Sequence, residues 1–465
     1  MRTLPAPIRP TPEQAIIIDD NSPGFWLVRG AAGSGKTTTS LLRLSLAAGY
    51  WRDRREQLGL SGPVRILVMT FNRTLRGYIE KLAREQVPPG FDMYLEVTTF
   101  GAWSRALTGS VVLDHDPRAE QIRQLAGTRF PNWEPQFLTD EVDYVLGRFL
   151  PSERRVYLEA RRLGRGGAPR VDRALRTRLL EHVIEPFQSW KAQRGLVDWQ
   201  DLAAHLAMNK IAAPYDVVVV DETQDLSANQ IRAIVNHLAD DFVCTFVRDN
   251  TQRIYANAFR WSEVEIEFGS QSRRLRRNYR NTKQIAAFVR PVVEGIESFE
   301  DEALPDFTGC TAEGPLPVVL RGRYSDQLDW AIRYLGAEVT AGETVAFLHP
   351  KGWFRELRLR LDREKIAWQS LTRETEWPSG DVAVGLCTMH SAKGLEFDHV
   401  LILGYNAEVV RHGDEPEDAL RDTQRRLLAM AAGRAKRGLV VGYLPTDISL
   451  LVELFEHGTF ELIDV

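Results

Sequence analysis

The stretch GAAGSGKTT, residues 30–38, constrains the fold of this chain more than any other part of its sequence. It follows the apolar run FWLVR and precedes a helical pattern, so its glycines can turn backbone N–H groups toward one point at a helix N-terminus. In such a loop the lysine supplies a charge for the β- and γ-phosphates, and the next threonine supplies a hydroxyl for Mg²⁺. We predict a loop that binds ATP and Mg²⁺, made by Gly30, Gly33, Ser34, Gly35, Lys36, Thr37 and Thr38.

Apolar runs typical of buried parallel strands recur in both halves of the chain. They lie at residues 25–30, 65–71, 215–222 and 241–250, and again at 315–322, 344–350, 381–390, 399–405 and 438–444. Helical patterns separate them, and this alternation predicts an α/β fold with parallel sheets. A chain of 465 residues is also too long for one ordinary core.

The pattern divides the chain into two α/β domains, the first interrupted by a helical insertion. We place the first domain at 1–102 and 196–278, the insertion at 103–195 and the second domain at 279–465. Within the insertion, residues 152–178 carry nine arginines against three acidic residues. This excess favours a basic face that binds phosphate. The alternative is a solvated helical face with i,i+4 ion pairs, but such a face requires more similar numbers of acidic and basic residues.

The composition indicates the cellular compartment of the protein but says little about its binding partner. The net charge of −4 argues neither for nor against nucleic acid, and 44% hydrophobic with 26% charged residues indicates a globular protein. Three scattered cysteines without CxxC spacing indicate a reducing compartment with no disulfide framework or zinc site. The N-terminus lacks the apolar core of a signal peptide, and no apolar run reaches about 18 residues. We therefore expect a cytoplasmic protein without a membrane partner.

The stretch VVVVDETQDL, residues 217–226, places three carboxylates at the end of a buried strand. Charge beside a low-dielectric interior needs a partner or a function. In P-loop enzymes an Asp at such a strand end helps hold Mg²⁺, and a following Glu can polarise the attacking water. We assign Asp221 to the metal, with Thr37, and Glu222 to the water.

Further blocks occur in an order that resembles the UvrD/Rep (PcrA-like) family of superfamily 1 helicases. DETQDL is similar to the D-E-x-Q-D block of that family. The other similar blocks are RPTPEQAI (9–16), ILVMTFNRTL (66–75), VTTFGAWSRAL (97–107), GLVDWQDLAAHLA (195–207), LRRNYRNTKQI (275–285), TMHSAKGLEFDHVLIL (388–403) and RRLLAMAAGRAKRGLVV (425–441). Together they span almost the whole chain. The resemblance implies two RecA-like domains, with ATP hydrolysed between them.

The resemblance also implies roles for single residues. Gln14 matches the residue that reads adenine, Tyr279 the one that stacks on it, and Glu396 the one that holds the ribose. In catalysis, alongside Lys36 and Glu222, Gln252 matches the sensor of γ-phosphate and water, while Arg280 and Arg434 match arginine fingers from the second domain. A planar guanidinium suits that task because it can grip two phosphate oxygens. The implied DNA contacts are Phe71, Asn72, Phe100, Trp103, Tyr255 and His390.

As a whole, the resemblance implies an ATPase stimulated by single-stranded DNA that moves 3′ to 5′ and acts on single-stranded and tailed duplex DNA. A second hypothesis is a helicase-like sensing subunit that regulates a partner nuclease in phage defence or repair, with little unwinding of its own. RNA translocation is a third, because base stacking does not distinguish the two sugars.

The sequence departs from the family mainly at positions that would contact DNA. Arg248 stands where a glycine is usual, Asn257 where a stacking tryptophan is usual, and Gly101 where a histidine is usual. The family also inserts a large domain, called 2B, between its fourth and fifth motifs. Residues 290–386 leave no room for it, so we expect a compact member without 2B.

Overall fold

The computed structural model describes residues 10–30, 34–70, 80, 92–131, 133–163, 170–248, 259–275, 281–296, 310, 312–371, 383–393, 395–412 and 419–465. Within this part of the chain, the strands form two parallel sheets, each covered by helices. The predicted α/β class is therefore confirmed.

The first sheet is built from residues on both sides of the insertion. Its strands are β1 (Gly24–Gly30), β2 (Val64–Thr70), β3 (Met93–Thr99), β4 (Tyr215–Val220), β5 (Leu238–Arg248) and β6 (Ser272–Leu275), in the order β3-β2-β4-β5-β1-β6. Val217 and Val219 pack into one hydrophobic cluster and Val218 and Val220 into another. Because successive side chains point to opposite faces, an unbroken apolar run is what a strand covered on both faces requires.

The second sheet lies wholly in the C-terminal part of the chain. Its strands are β7 (Val318–Arg321), β8 (Val345–His349), β9 (Trp368–Ser370), β10 (Val384–Thr388), β11 (Phe397–Ile402), β12 (Ala435–Tyr443) and β13 (Glu461–Asp464), in the order β13-β7-β12-β11-β8-β10-β9. The apolar runs of the sequence supply its five inner strands. Strands β9 and β13, at its two edges, were not predicted.

Helices cover both sheets. On the first sheet they are Pro12–Asp19, Lys36–Gln57, Phe100–Thr108, Trp199–Met208 and Ala228–Asn236, and beside the second they are Lys283–Val293, Tyr324–Ala337, Arg355–Arg363 and Ala419–Ala432. The boundary that we placed at residue 103 falls inside the helix Phe100–Thr108. Among the described residues, no helix combines the length and the apolar character needed to cross a bilayer.

The insertion is helical, as predicted, and has a hydrophobic core of its own. Its regular elements are His115–Ala126, Pro135–Arg148, Arg173–Leu179 and Glu185–Arg194, with a π-helical turn at Leu180–Ile184 and a 3₁₀ segment at Pro151–Leu158.

Two of the nine arginines at residues 152–178 hold the interior of the insertion and do not contribute to a basic face. Arg162 pairs with the buried carboxylate of Glu141 at 2.8 Å. Arg176 donates to the carbonyl oxygens of Tyr157 and Ala160 at 2.9 and 2.7 Å. The exposed members are Arg155, Arg161, Arg170, Arg173 and Arg178, and Arg165 lies outside the described residues. These two arginines are therefore not part of the predicted basic face, and phosphate binding by the exposed ones remains a prediction.

The insertion is fastened to the first sheet next to the predicted catalytic strand end. Asn229 donates to the carbonyl oxygens of Leu146 and Phe149 at 2.9 and 3.2 Å. Arg148 makes a two-point ion pair with Glu263 at 2.7 and 2.8 Å. The Asn229 bonds tie the end of the helix Pro135–Arg148 to the helix that begins at Ala228, just beyond the carboxylates, and the Arg148 pair ties it to the 3₁₀ segment Trp261–Val264.

Gly147 lets these two helices approach each other closely. A Cβ at this position would lie 2.9 Å from Cβ of Ser227 and 3.0 Å from Oε1 of Gln200, so something would have to shift. We expect Gly147→Ala to lower the free energy of unfolding by about 1–3 kcal/mol. The matched control is Gly49→Ala, in the helix Lys36–Gln57 with nothing within 4 Å of its Cβ. That change should instead stabilise the protein by up to about 1 kcal/mol. Urea unfolding measures the free energy of unfolding of both variants. An equal change in the two would contradict the close approach at Gly147.

Candidate nucleotide site

The described residues of the predicted phosphate loop adjoin β1 and the helix Lys36–Gln57, since Gly30 ends the strand and Gly35 directly precedes the helix. Gly35, the residue before this helix, has a left-handed backbone with φ +78°, and a Cβ there would lie 2.4 Å from Nε2 of Gln14. A Cβ on Gly30 would lie 2.9 Å from the carbonyl oxygen of Leu275. Both positions therefore need glycine, because a side chain at either would collide with a neighbour.

Gln14 lies against this loop. It is the third residue of the helix Pro12–Asp19, and its side chain accepts a hydrogen bond from the backbone N–H of Thr11 at 3.0 Å. Its amide Nε2 donates to the carbonyl oxygen of Ser34 at 3.4 Å, and the side chain is buried. The helix N-terminus thus positions this amide beside the phosphate loop.

Residues of the loop and of β4 meet at the sheet edge. Lys36 Nζ donates to the carbonyl oxygen of Gly30 at 2.7 Å, and Thr37 Oγ1 donates to Oδ2 of Asp221 at 2.9 Å. Burial and the charge of Glu222 raise the pKa of Asp221 to about 7. A hydroxyl and a carboxylate on one side, with phosphate oxygens on the other, form the donor set that Mg²⁺ prefers. The residues present therefore fit Mg²⁺ with a nucleotide.

The raised pKa of Asp221 predicts how stability depends on pH. A folded pKa of about 7, against an unfolded value near 4, means that the folded state binds the proton more tightly. Ionising Asp221 therefore weakens the ligand-free protein as pH rises from 4 to 7, by about 4 kcal/mol in full.

We expect Asp221→Asn to melt several degrees above wild type at pH 8 and to lose this advantage at pH 5. Thermal melts of the ligand-free protein at both pH values test it, with the exposed Asp53→Asn as control. A difference in melting temperature between Asp221→Asn and wild type that is the same at pH 5 and pH 8 would contradict the raised pKa of Asp221.

Glu222 occupies a strained backbone position at the same edge. Its φ of +53° and ψ of +40° are left-handed, which is uncommon for a residue with a long side chain. The side chain is buried, and the amide of Gln224 donates to its Oε2. Strain of this kind costs on the order of 1–3 kcal/mol and is often found where a side chain must be aimed at a reacting group.

Lys393 connects the second sheet to this acidic turn. It lies in the segment between β10 and β11, and its buried ammonium is 2.5 Å from Oδ2 of Asp225 and 3.5 Å from Oε2 of Glu222. Asp225 is itself fully buried. The sequence analysis assigned no role to Lys393. Its position in the block TMHSAKGLEF, whose other residues were assigned to nucleotide and DNA contacts, could have indicated one.

Two residues predicted to reach the nucleotide from the second domain have partners within that domain. Arg434 is buried and donates to the carbonyl oxygens of Met430 and Leu395 at 3.1 and 3.4 Å. Glu396 pairs with Lys436 at 3.1 Å. In this structure both side chains are thus held at the second sheet, and their nucleotide roles remain predictions.

Several other predicted residues lie outside the described part of the chain. Those outside the described residues are Gly33, Phe71, Asn72, Gln252, Tyr255, Asn257, Tyr279 and Arg280, together with the side chain of Thr38. Their roles remain those implied by the resemblance.

Phe100 and Trp103 belong to the core of the first domain. Both are buried, and the indole of Trp103 donates to the hydroxyl of Tyr215 at 3.3 Å and lies edge-on to His237. Neither ring presents a face to solvent, so we do not keep them as candidates for stacking on DNA bases. His390, at the end of β10, is exposed.

Trp199 is an aromatic residue that sequence reasoning missed. Its side chain is 39% exposed and lies over Gly101, where a Cβ would be 3.1 Å from the indole ring. The guanidinium of Arg105 is 5.7 Å from the ring centre. The absence of a side chain at residue 101 therefore makes room for this ring. The sequence signal was a tryptophan in GLVDWQDL together with the glycine that replaces the usual histidine of the family.

This arrangement of a phosphate loop, a hydroxyl–carboxylate pair and a glutamate at the edge of a parallel sheet defines a P-loop nucleoside triphosphatase. A family model described as an AAA domain matches residues 13–258, more than half of the chain. A model described as the UvrD-like helicase C-terminal domain matches residues 364–446. The chain belongs to the UvrD-like helicases of superfamily 1, and its domains are those of an ATP-hydrolysing enzyme that acts on DNA.

Comparisons with individual proteins add less. No curated protein matches the chain. Among solved structures, one similar protein is the C-terminal domain of a possible DNA helicase from Lactobacillus plantarum WCFS1, at 21% identity and a TM-score of 0.31. The match covers 40% of this chain and 98% of that one.

Proposed function

We propose that this chain is an ATPase stimulated by single-stranded DNA that moves 3′ to 5′ along it and hydrolyses ATP between its two sheets. The observation that carries the proposal is the contact of Lys393 with Asp225 and Glu222. It joins the second sheet directly to the turn that holds the proposed catalytic glutamate. A movement of one sheet against the other must therefore change the surroundings of that glutamate.

The phosphate loop supplies the binding half of the chemistry. Its backbone N–H groups and Lys36 hold the phosphates, and Thr37 with Asp221 would hold Mg²⁺, which supplies positive charge to the β- and γ-phosphate oxygens when bound. Lys36 donates to the carbonyl oxygen of Gly30 in the ligand-free protein, and we propose that it donates to phosphate oxygens when ATP is bound. Hydrogen bonds to charged phosphate oxygens are about twice as strong as neutral ones.

Glu222 supplies the proton acceptor. A carboxylate next to the γ-phosphate can orient the attacking water and take its proton, and phosphoryl transfer depends mainly on such positioning and on charge stabilisation. The left-handed backbone of Glu222 ends the extended course of β4 at this residue. We propose that Arg280 and Arg434 complete the charge around the γ-phosphate when the sheets close, as the family resemblance implies.

For DNA, the proposal rests on groups at the carboxyl ends of strands in both sheets. Trp199 with Arg105 lies beside the end of β3, and His390 is exposed at the end of β10. A half-exposed aromatic ring next to a cation suits the stacking of a base while the backbone is tracked by charge. Phe71, Asn72 and Tyr255 keep their predicted DNA roles.

Strand displacement with ATPase measured alongside tests the function. We expect hydrolysis to rise at least 10-fold with single-stranded DNA, and displacement from a 3′-tailed duplex but not from a 5′-tailed one. Strand displacement only from the 5′-tailed substrate would contradict the proposed 3′ to 5′ direction. An ATPase activity that does not change when single-stranded DNA is added would contradict the proposed translocase function.

The sensing-subunit hypothesis is separated by the same assay. It predicts that DNA stimulates the ATPase while no strand is displaced from the tailed duplex. Strand displacement or DNA cleavage should then appear only when a co-purifying nuclease is added. Since no contact in the described part of the chain favours it, we retain the motor as the proposed function.

A further inference from the structure

Thr70 ends β2 with a buried hydroxyl. The side chain is 1% exposed, and in the part of the chain that the structure describes its Oγ1 has no hydrogen-bond partner. A buried hydroxyl of this kind costs free energy, because it has left water and gained no hydrogen bond in return. Native proteins contain few such groups, and one explanation for them is a partner that arrives with a ligand.

Thr70 lies level with Asp221 on the neighbouring strand. The register of β2 and β4 pairs Met69 with Val220, and the backbone N–H of Asp221 donates to the carbonyl oxygen of Met69 at 2.8 Å. Adjacent strands are about 4.8 Å apart, so the residue that follows Met69 lies beside the residue that follows Val220. Thr70 is therefore next to the proposed Mg²⁺ ligand.

The side chains of Thr70 and Asp221 also point to the same face of the sheet. Val68, two residues before Thr70, packs into the hydrophobic cluster that includes residues of the helix Lys36–Gln57. Because successive side chains of a strand alternate between faces, Thr70 points to this helix as Val68 does. Asp221 points there as well, since its Oδ2 accepts from Thr37 of the same helix. The hydroxyl of Thr70 thus faces the side of the sheet on which the proposed Mg²⁺ ligands meet.

The carboxylate of Asp221 can accept a further hydrogen bond. It accepts from the hydroxyl of Thr37 at 2.9 Å and from the backbone N–H of Glu222. The two oxygens of a carboxylate offer about four acceptor positions, so positions remain both for a metal and for another donor. Carboxylates that ligate a metal are usually hydrogen-bonded to neighbouring groups, and those partners fix their orientation. The hydroxyl of Thr70 is a donor of the kind that such a carboxylate needs.

The strand on the other side of Thr70 places a different group beside it. Thr99 of β3 is paired with Thr70, and its hydroxyl accepts from the backbone N–H of Ala102 at 3.2 Å, where it caps the helix Phe100–Thr108. Thr99 is neutral, whereas Asp221 is ionised when it ligates a metal. Hydrogen bonds to a charged acceptor are about twice as strong as those between neutral groups, and this favours Asp221 as the partner.

We propose that the hydroxyl of Thr70 donates to the carboxylate of Asp221 when Mg²⁺ and nucleotide are bound, and so orients this carboxylate toward the metal. Thr70 is then a positioning residue that acts through Asp221. The inference rests on the proposed function, because it concerns the Mg²⁺ of the same site. It also explains why a buried hydroxyl is kept at this position although it has no partner in the ligand-free protein.

The test measures how much Mg²⁺ the full chain needs to bind a fluorescent, non-hydrolysable ATP analogue. Thr70→Val replaces the hydroxyl by a methyl group of similar size. We expect it to raise the Mg²⁺ concentration for half-maximal binding about 10-fold, since loss of a hydrogen-bond partner of a metal ligand typically weakens metal affinity by this much or more. Binding of the analogue in EDTA should not change. Thr70→Ser keeps the hydroxyl and should need no more Mg²⁺ than wild type.

The melting temperature of the ligand-free protein gives a second measurement. Because the hydroxyl of Thr70 is buried without a partner, Thr70→Val should melt at or above the temperature of wild type. The matched control is Thr98→Val on β3, where another buried threonine donates its hydroxyl to the carbonyl oxygen of Thr99 at 3.3 Å. Thr98→Val should melt below wild type and leave the Mg²⁺ requirement unchanged.

The outcomes separate the role of Thr70 from the proposed function. If wild type does not bind the analogue, or binds it equally with and without Mg²⁺, the proposed function fails and this inference fails with it. If wild type requires Mg²⁺ and Thr70→Val requires no more, only the role of Thr70 is overturned. Equal shifts in Thr70→Val and Thr98→Val, or a raised requirement in Thr70→Ser, would also overturn it, because the effect would not depend on this hydroxyl. A ligand-free Thr70→Val that melts well below wild type would contradict the absence of a partner.

Discussion

Replacing Glu222 by glutamine is expected to reduce the kcat for ATP hydrolysis at least 100-fold while ATP binding stays within about 3-fold of wild type. Glutamine preserves the size of the side chain and can still orient water, but its amide cannot accept the proton. Because Glu222 is buried beside Asp221, removal of its charge should also relieve repulsion in the ligand-free site. Binding of a fluorescent ATP analogue and steady-state hydrolysis with saturating oligo-dT measure the two quantities.

A matched control exists for this variant. Glu265 is another glutamate of the first domain in the left-handed region, with φ +59°, and it lies outside the nucleotide site. We expect Glu265→Gln to hydrolyse ATP as wild type does. Retention of more than about a tenth of wild-type kcat by Glu222→Gln would show that another group accepts the proton.

Replacing Lys393 by methionine is expected to remove most of the stimulation of the ATPase by DNA. Lys393 and Asp225 form a buried pair, and breaking such a pair by removing one partner costs about 3–5 kcal/mol, because the other charge is left without compensation. The loss of this ammonium is offset if Asp225 takes up a proton, or if the two sheets separate and water reaches its carboxylate. We therefore expect the arrangement that joins the sheets to be disfavoured, together with the response to DNA that depends on it.

The double variant Lys393→Met/Asp225→Asn distinguishes loss of charge balance from loss of the lysine itself. It removes both charges and should recover most of the lost melting temperature. DNA stimulation should remain low, since Glu222 still lacks its ammonium neighbour. Hydrolysis with and without oligo-dT, together with thermal melts of both variants, measures this. Normal stimulation in Lys393→Met would disprove the coupling.

The parts of the fold that sequence predicted well are the inner strands. Their apolar runs are unbroken because both faces are covered, as the alternation of Val217–Val220 between two clusters shows. The strands that were missed, β3, β6, β9 and β13, are the edge strands of the two sheets. An edge strand is short or partly exposed, as in Ser272–Leu275 and Glu461–Asp464, and so lacks the continuous apolar signal.

Some contacts of the candidate site could be predicted from the sequence, and others could not. Contacts within local motifs, such as the glycine turn before Lys36, follow from residue types at fixed spacing. The pairing of Thr37 with Asp221 could be expected because both belong to recognised phosphate-site motifs. Contacts across long separations, such as Lys393 with Asp225 or Trp199 with Gly101, depend on how elements pack and leave no pattern in either segment alone. Phe100 and Trp103 show the reverse error, since an aromatic residue in a DNA-contacting block can equally serve the core.

The close approach at Gly147 has a mechanical consequence. Ser227 precedes the helix that follows the acidic turn, and Gly147 of the insertion lies directly against it. Asn229 and the Arg148–Glu263 pair add further contacts of the insertion with this domain. We therefore expect the insertion and the acidic turn to move together as one rigid unit. In the motor that we propose, the change of shape then occurs between the two sheets, and we expect the length of each step along DNA to depend on how far the two sheets open.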